Sequence, residues 1–158
     1  MSKKDKKVKQ RFQVESNKVP RSIINNPNSF YDKFPVWSFK FSDFEHYKWG
    51  VYANSDLLSE VVLKFRELER MSWKEILTTT SGRKNNTRNH FIPLASLASE
   101  AQKRFCDLNL SEIFGDQICS LALMGKLRLF GFIDESGVFY LIWIDKEHEV
   151  YPVYKKYT

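Results

Sequence analysis

The stretch ICSLALMGKLRLFGFIDESGVFYLIWID, residues 118–145, decides the fold. Three apolar and aromatic runs, Ile118–Met124, Lys126–Ile133 and Val138–Asp145, are separated by Gly125-Lys126 and by Asp134-Glu135-Ser136-Gly137. Short β-rich runs divided by Gly- and Asp-containing turns predict an antiparallel meander. Val138 to Ile144 is apolar at every position, the pattern of a central strand covered on both faces.

Working back from the meander, two helices are expected. Leu57, Leu58, Val61, Val62, Phe65 and Leu68 recur at helical spacing, with Asn54 or Ser55 as a start cap. Leu94, Leu97, Ala98, Ala101, Phe105 and Leu108 form the inner face of the second, which Pro93 opens. Ser72 and Glu75 form a capping-box pattern before a short helical turn containing Ile76 and Leu77. Ser111 starts another turn near Ile113 and Phe114. Trp37 to Phe41 alternates as a half-buried strand does, and Lys48–Ala53 is its expected hairpin partner. Strands, helices, then three strands give an α+β class: an antiparallel sheet packed against two main helices.

Length and charge organise the rest. At 158 residues with 42% hydrophobic composition, one domain with a real core is expected. Residues 1–40 hold 10 Lys/Arg and 3 Asp/Glu, whereas residues 41–158 hold 15 and 16, so the basicity lies in an arm. The expected division is a basic arm over residues 1–19, without a fixed fold, and a single domain over 20–158. Clustered cations such as Lys3, Lys4, Lys6 and Lys7 attract phosphate and displace its counterions. No apolar run has the length of a membrane span, and the N-terminus lacks the apolar core of a secretory signal, so a cytoplasmic protein without membrane contact is expected. Cys106 and Cys119 offer neither a disulfide framework nor metal spacing, and both are expected in the core. No metal and no cofactor is expected.

Several residues carry chemistry. His148, just past the central strand, can move protons near neutral pH, or lie solvated in a turn capped by Asp145. Lys126 and Arg128, expected on one strand at period two, point to a common face and suit flanking phosphates. Arg83, Lys84, Arg88 and His90 make a polar loop over residues 78–90 locally basic, either a solvated loop or a ligand clamp. Lys155, Lys156 and Tyr157 place two cations and a phenol at the C-terminus, where they could stabilise charge on phosphate, stack on a base or move a proton.

Two resemblances add expectations. Trp143, Asp145, His148, Val150, Pro152, Lys155, Lys156 and Thr158, with Pro27-Asn28-Ser29-Phe30, Trp37 and the run Glu100 to Arg104, resemble a family of small uncharacterised bacterial proteins. These close in Trp-Trp-Asp-Pro-x-His-x-Val-Cys-Pro and Lys-Lys-His-Thr. Ile144, Lys146, Tyr151 and Tyr157 depart from that pattern. The helices-then-meander order over residues 55–158 resembles the RelE/YoeB-like toxins, which cleave mRNA on the ribosome without a metal. That resemblance implies an RNA endonuclease with RNA or the ribosome as partner and a possible cognate antitoxin. His148, Lys155, Lys156 and Tyr157 would then be its catalytic groups. A non-catalytic module binding nucleic acid or protein is the alternative.

Overall fold

The computed structural model describes residues 30–79 and 88–152. Five strands, β1 (Val36–Ser38), β2 (His90–Pro93), β3 (Gln117–Ala122), β4 (Arg128–Ile133) and β5 (Val138–Asp145), form one sheet in the order β1-β5-β4-β3-β2. The meander β3-β4-β5 is antiparallel, as its turns dictate, and β2 joins β3 antiparallel. The class is α+β.

The N-terminal hairpin does not form. β1 covers only Val36–Ser38 and pairs with β5 in parallel. Its expected partner, residues 48–53, turns instead around a buried side chain: Asn54 Nδ2 donates to the carbonyls of Lys48 and Gly50 at 2.9 and 2.8 Å. That use removes Asn54 as a cap. α1 (Leu58–Leu68) starts behind a 3-10 turn, with no side-chain cap.

α1 and α2 (Trp73–Thr78) cover one face of the sheet, and the capping box of Ser72 and Glu75 opens α2. Trp37 stacks on Phe65 at 3.8 Å, and Trp73 Nε1 donates to the Gly137 carbonyl at 2.8 Å, tying helices to the β4–β5 turn. Val61, Phe65 and Leu68 are buried as their spacing requires; Val62 is exposed, because the buried stripe of α1 is narrower than the apolar pattern.

α3 (Ser99–Asp107) lies on the other face with the segment 43–51 and a 3-10 turn at Leu110–Glu112. Ala101 and Phe105 point inward, and Cys106, one residue on, turns outward and is exposed; Cys119 is in the core as expected. Pro93 closes β2, and α3 begins six residues later. The register of β4 on β5 slips between Phe130 and Gly131, where a Cβ would collide with the Tyr140 carbonyl and the Phe139 ring. No helix of the described residues is long and apolar enough to cross a membrane.

Candidate functional site

One corner of the sheet carries a histidine of β2 and an arginine of β4, with Arg88 just before β2 and His148 in the turn after β5. His90 opens β2 opposite Ser120 of β3, and two residues along β3, Ala122 opposes Arg128. Arg128 in turn opposes Asp145, the last residue of β5. Cross-strand partners share a face and side chains alternate along a strand, so His90, Arg128 and Asp145 all lie on the face covered by α3.

Two buried polar side chains fix the corner. Asp145 accepts from the backbone amides of Glu149 at 3.0 Å and Val150 at 2.8 Å. That carboxylate turns the chain sharply, and His148 inside the turn has φ +60°. Asn89 Nδ2 donates to the Ile76 carbonyl at 2.9 Å while its Oδ1 accepts from the Ala122 amide at 2.8 Å. Asn89 thereby pins the start of β2 to both α2 and β3 and sets the positions of Arg88 and His90 beside it. The Arg88 amide also donates to the Thr79 carbonyl, joining the two ends of the 80–87 segment.

The groups sense one another. Partial desolvation, and then the charges of Arg128 and His148, hold the His90 imidazole below its ordinary range, although the residue is exposed. Burial lowers the Arg128 guanidinium and Arg88 adds to this, against the pull of Asp145; an arginine remains cationic throughout. Arg128 Nη1 donates to the carbonyls of Gly125 at 2.7 Å and Leu127 at 3.0 Å, which aligns the side chain along the β3–β4 turn.

Of the residues expected from sequence, Arg88, Arg128 and His148 lie around this corner, at the start of β2, on β4 and in the turn after β5. Lys126 does not lie on β4: Leu127 N donates to Met124 O and Gly125 has φ +54°, so Lys126 rides in the turn, exposed and 3.9 Å from Glu147. Lys3, Lys4, Lys6, Lys7, Lys155, Lys156 and Tyr157 lie outside the described residues. His90, expected with Arg88 in a basic loop, instead opens β2, and that strand carries it to the corner.

A second constellation centres on Asp43, which is 2% exposed. Arg104 grips it at two points, Nε to Oδ2 and Nη2 to Oδ1, both 2.8 Å. Trp143 Nε1 donates to Oδ2 at 3.1 Å, and the amides of Glu45 and His46 donate to Oδ1 at 3.2 and 3.1 Å. Burial opposes ionisation of this carboxyl, but the bonds from Arg104 and Trp143 and the Arg104 charge outweigh it, holding the pKa below the ordinary range. Nearby, His46 Nδ1 accepts from the amides of Lys48 and Trp49, so its ring proton sits on Nε2, 3.5 Å from Glu100 Oε1. Lys48 bridges Glu100 and Glu149 at 3.0 and 3.3 Å.

These groups are engaged with one another and hold α3, the segment 43–51 and β5 together. Glu100, Arg104, Trp143, Asp145 and Val150, five positions of the first resemblance, all serve this framework; Val150 is buried and accepts from the Ala98 amide just before α3. Among the described residues, no group of three or more His, Cys, Asp and Glu is arranged to hold a metal ion. No protein-family model, curated protein or solved structure matches this chain.

Proposed function

We propose that the protein is a cytoplasmic, metal-independent RNA endonuclease of the RelE-like kind, acting at the corner of His90, Arg128 and His148. What supports this reading is the placement of two imidazoles and a guanidinium toward one end of the sheet, on β2, on β4 and in the turn after β5. RNA cleavage without a metal needs a base for the ribose 2′-hydroxyl, an acid for the leaving 5′-oxygen, and a cation for the charge gathering on phosphorus. His90, whose imidazole is held below its ordinary range, suits the base. His148 returns a proton to the 5′-oxygen as the P–O bond breaks, and Arg128 holds the non-bridging oxygens. Arg88 meets a flanking phosphate. Lys155, Lys156 and Tyr157 follow within ten residues of His148 and add phosphate contacts, while Lys3, Lys4, Lys6 and Lys7 supply long-range attraction. The partners are mRNA on the ribosome and an antitoxin protein.

The test is purified full-length protein with ribosome-bound mRNA, and induction in growing cells. Cleavage lost in His148→Gln, together with growth arrest, supports the enzyme; intact mRNA and normal growth overturn it. A non-catalytic RNA-binding module is the second reading. It is favoured by the hydrogen bonds of Arg128 to two backbone carbonyls, which commit part of the guanidinium to the β3–β4 turn.

A further inference from the structure

The segment 43–51 closes over β5 through two backbone bonds: the Asp43 amide donates to the Ile142 carbonyl and the Ile144 amide to the Trp49 carbonyl, both 3.0 Å. Two side chains shape this segment by the same device. Asp43 Oδ1 accepts from the amides of Glu45 and His46, two and three residues on, at 3.2 and 3.1 Å. His46 Nδ1 accepts from the amides of Lys48 and Trp49, again two and three residues on, at 3.2 Å each. Only an imidazole nitrogen without a proton can do this. His46 is 8% exposed, and its ring lies flat against Trp49, with 4.4 Å between centroids and 8° between planes. Trp49 is itself buried, and its Nε1 has no hydrogen-bond partner, so no polar side-chain bond fastens that indole. Its place depends on the stack with His46, the contact with Trp143 and the Ile144 bond.

We infer that His46 is an acid-released latch: a proton taken from solvent by Nδ1 removes the acceptor of the Lys48 and Trp49 amides and frees the turn carrying Trp49 from β5. A proton on Nδ1 would face two amide N–H groups, and turning the ring over offers them carbon instead, so both amides lose their bond in either case. The charges facing the ring largely cancel. From its own segment come Asp43 and Lys48, and from α3 Glu100 and Arg104; the rings against it, Tyr47 and Trp49, are uncharged. Asp43 is paired with Arg104, and Glu100 with Lys48, which Glu149 in the turn after β5 also meets. Burial then favours the neutral ring and holds its pKa below 6.5. The latch therefore contributes stability above that pH and loses it as pH falls through the lower folded value. This inference is independent of the RNA reading.

Amide hydrogen exchange of the full chain, followed by nuclear magnetic resonance from pH 7 to 4.5, tests it, with the His46 Cε1–H shift recording protonation. Asp43 stays ionised across this range. After correction for intrinsic rates, protection of the Lys48 and Trp49 amides should fall about tenfold or more in step with that shift, while Val61 and Leu141 keep theirs. His46→Asn sets an amide oxygen in the place of Nδ1, as the Asp43 carboxylate already does two turns earlier in the same pattern, and has no proton to gain. Its protection should stay level across the range. Should that variant not fold, Glu100→Gln removes a carboxylate that favours the imidazolium, and the His46 midpoint and the loss of protection should move to lower pH together. Protection kept after the ring is protonated would overturn the latch, as would its loss at the same pH in folded His46→Asn. So would midpoints that part in Glu100→Gln, or an equal fall at Val61 and Leu141.

Discussion

Arg104 on α3 and Asp43 in the loop after β1 stand 61 residues apart and form a two-point ion pair, both contacts 2.8 Å. The pair joins α3 to the segment that closes over β5, and Asp43 is the more buried partner. Arg104→Ala leaves that carboxylate without its counter-charge, and a loss of about 3 kcal/mol is expected. Urea unfolding measures it; a loss below about 1 kcal/mol would show that the amides and Trp143 suffice to hold Asp43.

The same carboxyl gives stability a dependence on acid. Its folded pKa lies below the ordinary value of 3.8, so its contribution is fully present above that pH. The contribution falls as pH drops from about 4 through the lower folded value, because the unfolded chain takes up the proton first. Asp43→Asn should flatten this part of the profile in thermal melts recorded from pH 5 downward, while lowering stability at pH 7.

Trp143 is fully buried between Trp49 and Phe105, with ring centroids 5.6 and 6.4 Å away. Trp143→Ala should cost about 3–5 kcal/mol through the cavity it leaves. Trp143→Phe retains a ring but removes a donor from Asp43, at about 1.5–3 kcal/mol. Chemical denaturation of both variants separates packing from the hydrogen bond; equal losses would contradict the split.

The meander was legible because long apolar runs and two Gly-containing turns leave few other pairings. Other elements were not. β2 has four residues, one of them Pro93, and so has no room for a period. The parallel pairing of β1 with β5 joins residues about 100 positions apart, which spacing along the chain does not reveal. Lys126 appeared to share a strand with Arg128 because the turn extends to Leu127, which the apolar pattern absorbed. His148 and Arg128 could be singled out by chemistry, yet the partner that completes the corner, His90, is brought in by that unforeseen strand. Asp43 did leave a signal: a carboxylate inside the aromatic run from Phe39 to Phe44 needs a cation, and Arg104 sits one residue from the buried Phe105.

If His90 is the base, its protonation sets the acid limb of the rate profile. Its pKa is held below 6.5, so activity should rise with pH through a midpoint below that value. His90→Gln should reduce cleavage by about 10²–10⁴-fold and remove the limb. Initial rates on a fluorescent RNA oligonucleotide between pH 4.5 and 8 test this, and an unchanged limb in the variant would assign it to another group.

The central claim, that the sheet corner receives RNA phosphate, is tested most directly by nuclear magnetic resonance of the imidazole rings. The chain has 3 histidines, and His46, engaged with Glu100 and stacked on Trp49, serves as an internal reference. A short RNA with a single 2′-deoxy substitution at the scissile position allows binding and blocks cleavage. On titration with it, the Cε1–H signals of His90 and His148 should both move, saturating together, while that of His46 stays in place. Movement of neither His90 nor His148 under conditions where the RNA is bound would contradict the account.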